Sequence, residues 1–232
     1  VKAGYDAFDY HAAVQAIHNF CVTDMSNFYL DIIKDRLYCC AEKSPERRAA
    51  QTAMYRILSA VARLIAPVLA FTSEEIWKYM PHTASDDTES IFLNDMPEKL
   101  NLSVTPEFTA KWETIYGLRA EVTKALEMKR AEKFIGASLE AKVTLHISDA
   151  EFFAKVDALK SELPAVFIVS AVDVVNNGDG EFKTDAFDGK LAFSVEKASG
   201  EKCERCWMYS DTVGTVAEHP TLCARCAHEI TK

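Results

Sequence analysis

The 232-residue chain has no stretch approaching the ~18 consecutive apolar residues that a membrane-crossing helix needs. Its first residues, Val1 to Asp6, lack the basic start and apolar run of a secretion signal. With only 8 glycines and 7 prolines, the low-complexity and collagen-like classes are excluded. Positive charge is short as well: 26 Lys and Arg stand against 35 Asp and Glu, a net of −9, which excludes a broad, nonspecific coat for nucleic acid. Only in 101–145 do basic side chains outnumber acidic ones, seven to six, so a polyanion would have to meet a restricted patch. The chain starts with Val and not Met, and it reads as a piece of a longer cytoplasmic protein. At 49% hydrophobic and 26% charged residues it is ordinary globular sequence, long enough for one large or two modest domains.

Periodicity divides the chain into three parts. The first, 1–135, reads as helix. Val14, Ile17, Phe20, Phe28, Ile32 and Leu37 recur at helical steps, with a break expected near Thr23-Asp24, which suit a cap better than a helix interior. Ser44-Pro45-Glu46 opens a second helix that Pro67 should kink or end. Thr72-Ser73-Glu74-Glu75 reads as a capping box restarting a helix through Trp77 and Met80. An acidic connector follows at 81–106, with a short extended piece expected from Ser90 to Leu93. A third long helix starts after Thr105-Pro106.

The second part, 136–198, reads as a small α/β unit. Val143, Leu145 and Ile147 alternate as a half-buried strand, and Ser148-Asp149-Ala150-Glu151 reads as a capping box. Pro164 is expected to stop the helix that follows. Val166 to Val175 is expected as one strand, 176–180 as a turn, and Leu191 to Val195 as another strand. The expected fold is mainly α: a helical bundle, a small α/β unit, then a cysteine-rich module at 199–232.

Three of the seven cysteines, Cys21, Cys39 and Cys40, fall in helix-like sequence. The other four form two CxxC knuckles, Cys203/Cys206 and Cys223/Cys226, separated by 16 residues. An odd total without a secretion signal does not suit a disulfide framework, whereas paired knuckles at this spacing suit one zinc ion. Four thiolates fill a tetrahedral shell and leave no open position, so the zinc is expected to be structural. His219 and His228 read as bystanders, and His11, His18 and His82 as ordinary helix or loop residues.

Each knuckle sets an arginine before its second cysteine, Arg205 and Arg225. Either could offset the −2 charge of a four-thiolate zinc centre, or face outward and grip phosphate. Trp207 could pack on the knuckle or stack on a base. On the third helix the apolar stripe of Ile115, Val122 and Leu126 gives way to Lys129, Arg130 and Lys133. Cations suit a helix C-terminus, and a charged helix end presented to an anionic partner is the alternative.

The runs DMSNFYLDIIKDRLY at 24–38 and APVLAFTSEEIW at 66–77 resemble the anticodon-binding bundle of the isoleucine, valine, leucine and methionine class I tRNA synthetases. KFIGASLEA at 133–141, followed by a strand and the paired knuckles, resembles the C-terminal part of bacterial isoleucyl-tRNA synthetases. That resemblance implies a parent ligase that joins isoleucine to tRNA(Ile) with ATP. The HIGH and KMSKS motifs of such catalytic domains are not in these residues, and neither is the editing domain, so the fragment is expected to be non-catalytic, with ATP used elsewhere. It implies a monomer meeting the tRNA(Ile) anticodon arm, with Arg119, Lys129, Arg130, Lys133, Arg205, Trp207 and Arg225 as candidate RNA contacts. A valyl or leucyl enzyme fits the terminal zinc module less well. A DNA-repair glycosylase has a similar zinc finger but requires a β-rich domain where 1–135 reads as helix. The bland alternative is a zinc-stabilised scaffold with no RNA role.

Overall fold

The computed structural model describes residues 1–177 and 179–231, which form two units, 1–37 with 42–102 and 38–41 with 103–231. Among the described residues, no helix is long and apolar enough to cross a membrane.

The first unit is helical. It contains α1 (Lys2–Asp6) and α2 (Tyr10–Asn19), a π-helical stretch (Phe20–Tyr29), and α3 (Leu30–Ile32). There follow most of α4 (Lys34–Cys39), then α5 (Pro45–Ile65) and α6 (Ala70–Tyr79). No break occurs at Thr23-Asp24. The backbone accommodates these weak helix formers by widening to the π form and continues into α3. Ser44 caps α5 by accepting the Arg47 amide at 3.2 Å, with Pro45 in the first turn where its missing N–H costs nothing.

Pro67 lies just beyond the end of α5. The amides of Val68 and Leu69 both return to the Ile65 carbonyl at 2.9 Å, and α6 starts at once. Thr72 and Ser73 therefore lie inside α6 and do not cap it, contrary to the capping-box expectation. Ser73 is fully buried, its amide on the Leu69 carbonyl.

Ala62, Ala66, Trp77, Met80 and Ile91 form a buried cluster in this unit, with Tyr55 and Ile76 against it. Trp77 donates from Nε1 to the Asp87 carbonyl at 3.0 Å, and the Arg63 guanidinium lies 5.0 Å from its ring centroid. Arg63 also pairs with Asp86. Burial pushes the Asp86 carboxyl up, but hydrogen bonds from Thr83 and Arg63 outweigh it and hold the group below its ordinary value.

The first part of the acidic connector is thus folded back onto the helices. Asn94 reinforces it, donating to the carbonyls of Asp87 and Ser90 and accepting from the Asp87 amide, each at 2.9 Å. The piece expected as extended is a 3-10 turn (Ile91–Leu93) capped by Ser90, because the buried Ile91 side chain must reach the Trp77 cluster.

In the second unit α7 (Pro106–Ala131) starts as expected, with Thr105 accepting the Phe108 amide at 3.2 Å. It carries Ile115, Leu118, Val122 and Leu126 on its buried face. It packs within the second unit. Arg119 donates to the Val166 carbonyl, and Gly117 leaves room for the Phe187 ring, whose Cζ lies 2.7 Å from where a Cβ would stand.

The four-stranded sheet has the order β2-β1-β4-β3, built from β1 (Ala141–Ile147), β2 (Ala171–Val175), β3 (Phe182–Lys183) and β4 (Leu191–Lys197). β1 and β2 are parallel, joined through α8 (Ala150–Asp157) and α9 (Leu163–Phe167); the other pairings are antiparallel. Val143, Leu145 and Ile147 are buried on one face of β1, as their alternation predicts.

Three expectations fail in this stretch. Asp149 caps α8, accepting the Phe152 amide at 2.8 Å, because the Ser148 amide and hydroxyl both turn to the Lys190 carbonyl. Pro164 does not end a helix but sits in the first turn of α9. The Val166–Val175 run is not one strand: α9 takes its start, Ile168 turns left-handed at φ 58°, and β2 begins only at Ala171. The run is apolar except at Ser170 and Asp173, too few polar residues for periodicity to separate a buried helical turn from a half-buried strand. Of the expected turn at 176–180, Gly178 lies outside the described residues.

Two outcomes test these assignments. Trp77→Ala should cost about 3–5 kcal/mol in denaturant unfolding, because an indole enclosed by two alanines, Met80 and Ile91 leaves a large cavity. Asp173 accepts from Lys142 at 2.8 Å and from Lys160 at 3.0 Å, and these bonds hold its carboxyl below the usual range. The folded state then favours the charged form. Its contribution is complete above the unfolded value of about 3.9 and is lost as pH falls through the lower folded value. Asp173→Asn should cost under ~1 kcal/mol at neutral pH, with the gap to wild type closing in acid. A gap that persists in strong acid would assign the loss to packing instead.

Candidate metal centre

The terminal module is built from two short strands, β5 (Glu201–Lys202) and β6 (Tyr209–Ser210), and α10 (Ala224–Ile230). The first knuckle closes between the strands: the Cys203 amide donates to the Met208 carbonyl at 2.9 Å and the Trp207 amide to the Cys203 carbonyl at 2.8 Å. Gly200 precedes them at φ +80°, where a Cβ would stand 2.2 Å from the Ser210 carbonyl carbon, so only glycine fits. The second knuckle straddles the start of α10, with Cys223 at the cap position and Cys226 in the first turn.

The four sulfurs lie within 4.8 Å of one another, and Cys206 and Cys223 are 3.9 Å apart. A tetrahedral ion at about 2.3 Å from each sulfur requires sulfur separations of about 3.8 Å, so the donor set fits one zinc ion. Cys203, Cys223 and Cys226 are buried, and neither His219 nor His228 belongs to the cluster.

Electrostatics favour a cation here. Burial pushes the Cys203 thiol up, yet the amides of Cys206, Cys223 and Arg205 donate to its sulfur and bring it down to about 6. Burial and the neighbouring sulfurs raise Cys206 and Cys226. Thiols this close cannot all ionise without a positive charge among them, and a four-thiolate shell leaves none of zinc's positions open for catalysis.

The two arginines have separate places. Arg225 donates to the Cys206 sulfur and reaches Met208 Sδ at 3.7 Å, so it offsets thiolate charge. Arg205 takes a role the sequence did not signal. Its Nη2 lies 3.4 Å from the carbonyls of both Tyr38 and Cys39, while Cys39 Sγ donates to the Arg205 carbonyl at 3.7 Å. Glu229 on α10 accepts the Ala41 amide at 2.7 Å. The zinc module thereby holds segment 38–41, which joins the second unit for this reason. Cys39, expected to be buried helix surface, is part of this latch.

Trp207 does not pack on the knuckle: it is 62% exposed, with a left-handed backbone at φ 64°. The Lys202 ammonium lies 5.6 Å from its ring centroid, a neighbour the sequence reading had not singled out.

At the end of α7 the basic residues are largely accounted for by the fold. Lys129, with 12% of its side chain exposed, pairs with Glu181 at 2.5 Å and Glu132 at 3.5 Å and lies over the rings of Phe134 and Phe182. It replaces the apolar stripe because its stem is covered and its charge is matched within the unit. Arg130 pairs with Glu127 at 2.5 Å and donates to Ser138 at 2.9 Å. Lys133 is exposed and holds the left-handed position of a Schellman cap at φ 59°. Its amide returns to Arg130, and that of Phe134 to Lys129.

A family model described as "Anticodon-binding domain of tRNA ligase" matches residues 1–145. The chain belongs to that family. A second model, "Zinc finger found in FPG and IleRS", matches residues 200–228 and so encloses all four cysteines. The anticodon-binding chain is similar to isoleucine–tRNA ligases of a Thermoanaerobacter species (48% identity over 97% of this chain), Halalkalibacterium halodurans (44% over 99%) and Syntrophotalea carbinolica (43% over all of it). It spans 24% of the length of each of these relatives. The helical first unit, matched by the anticodon-binding model, stands where a glycosylase reading would require a β-rich domain.

Elemental analysis of the purified chain should return one zinc per molecule. Stripping it, or substituting Cys223→Ser, should unfold the tail and speed hydrogen exchange at the Ala41 amide, which Glu229 of the zinc module holds. Arg205→Ala should produce the same exchange at Ala41 with the zinc retained. If Ala41 stays protected in the metal-free chain, the latch does not depend on the metal.

Proposed function

We propose that this chain is the tRNA-binding C-terminal part of an isoleucine–tRNA ligase that meets the anticodon arm of tRNA(Ile). The observation that carries this reading is the pairing, in one chain, of an anticodon-binding region with an IleRS-type zinc finger whose four sulfurs converge. Activation of isoleucine with ATP belongs to parts of such a ligase outside these 232 residues, and zinc serves the fold. The reading carries with it a monomeric, cytoplasmic ligase.

The seven candidate contacts divide by their surroundings. Arg119, Lys129 and Arg205 are engaged with carbonyls or carboxylates of their own unit and act by positioning. Trp207, Lys133, Arg130 and Arg225 are exposed and would meet RNA, Arg130 while paired with Glu127 and Arg225 while donating to the Cys206 sulfur. The exposed indole beside Lys202 offers a base a stacking surface and the adjoining phosphate a cation, a combination suited to unpaired loop nucleotides. An acidic protein with a few exposed cations should bind through such defined contacts and not through its overall field.

Filter binding of the chain to transcripts of tRNA(Ile) and of a tRNA with a different anticodon, over a range of salt, tests the reading. tRNA(Ile) should be preferred. Trp207→Ala should weaken binding by about tenfold or more, consistent with ~1–3 kcal/mol per stacked base. Lys133→Gln should flatten the salt dependence by about 0.7 of a unit of slope. Equal affinity for both transcripts, untouched by either substitution, would overturn it.

A further inference from the structure

Within the first unit, an open cleft of about 380 Å³ lies between α5 and the loop after α6, lined by Arg48, Gln51, Thr52, Tyr55, Pro81, His82 and Thr83. Its α5 wall is a stripe at positions i, i+3, i+4 and i+7, the spacing of one helix face. Arg48, Gln51 and Thr52 are exposed on this face, and the half-buried Tyr55 reaches the Trp77 cluster.

The opposite wall is set in place. The His82 ring lies 4.6 Å from the Trp77 ring, and Thr83 is fixed by its amide and hydroxyl bonds to Asp86 at 2.7 and 2.9 Å. His82 Nδ1 is buried with no hydrogen-bond partner among the described residues, and its ring forms part of the cleft wall. No carboxylate lines the cleft, although the chain carries 35 of them, and Arg48 brings a cation to its edge.

These features describe a site for one nucleotide. Its volume is that of a small-ligand pocket, in the lower part of the ~300–1,000 Å³ range. An imidazole nitrogen, an amide and a hydroxyl can meet a base edge, an aromatic ring its flank, and a guanidinium the phosphate. Much of the lining surface is apolar, which suits the flat face of a base, while its polar atoms and the Arg48 cation suit a base edge and a phosphate.

We propose that this cleft takes a single unpaired nucleotide of the bound RNA, with the base against His82, Gln51 and Tyr55 and its phosphate on Arg48. The proposal rests on the tRNA-binding reading above and adds to it a second contact, separate in sequence from the zinc module. His82, read from the sequence as an ordinary loop residue, becomes a specificity-determining one.

The test follows the His82 ring nitrogens by NMR in the full 232-residue chain, titrated with a tRNA(Ile) transcript, alongside filter binding. The transcript should move the His82 signals, and Arg48→Gln and Gln51→Ala should each weaken transcript binding by about tenfold for the charged contact and less for the neutral one. Both residues are exposed, so melting temperature should not change. Transcript binding that Trp207→Ala weakens, while Arg48→Gln and Gln51→Ala do not and His82 stays still, would overturn the cleft and leave the tRNA reading standing. A His82 response to free nucleoside monophosphates but not to the transcript would also overturn it, assigning the cleft to soluble nucleotides. A wild-type chain that retains no transcript would remove both.

Discussion

Four sulfurs drawn within 4.8 Å set the terms for the end of this chain. Thiols so close repel one another's charge, and a neutral cluster would bury weak donors with little to bind. A divalent cation would resolve the conflict and link β5, β6 and α10, elements too short to stand alone: two strands of two residues and a seven-residue helix. Everything the module carries outward, Trp207 on its left-handed backbone, Lys202 beside it and Arg225 on a sulfur, keeps its geometry only while that centre is closed.

The second unit organises cations by the same physical logic. Lys129, Lys142 and Lys160 reach carboxylates and Arg119 a backbone carbonyl, so these cations are engaged at short range within the unit. That pattern is compatible with the proposed RNA contact at a net charge of −9: exposed cations at defined positions give discrimination where a basic coat would give adhesion.

Legibility in the sequence followed the range of the responsible interaction. The Ser44-Pro45 and Thr105-Pro106 helix starts, the alternating Val143-Leu145-Ile147 strand and the paired knuckles are fixed by residues within a few positions, and all appear as read. Thr72-Ser73 and Ser148 misled because a capping sequence caps only where the backbone needs it, and here Pro67 and the Lys190 carbonyl had already settled the local geometry. Val166 to Val175 misled because a buried helix turn and the half-buried strand after it are both rich in apolar residues, with polar side chains only at Ser170 and Asp173 to mark a period. The Arg205 latch and the cleft beside His82 join positions far apart along the chain, and nothing local announces either.

That latch also bears on how the protein can vary in length. Arg205 and Cys39 are 166 positions apart, so the module closes a very long loop of polypeptide on segment 38–41. Because the entropy of closing a loop grows only with the logarithm of its length, even doubling it would cost about 0.6 kcal/mol. Insertions and deletions in surface turns between these points are therefore thermodynamically cheap, whereas a one-residue change between Cys203 and Cys206 alters the bite of the metal site directly. Evolutionary tolerance should be broad along the loop and close to nil at its clasp.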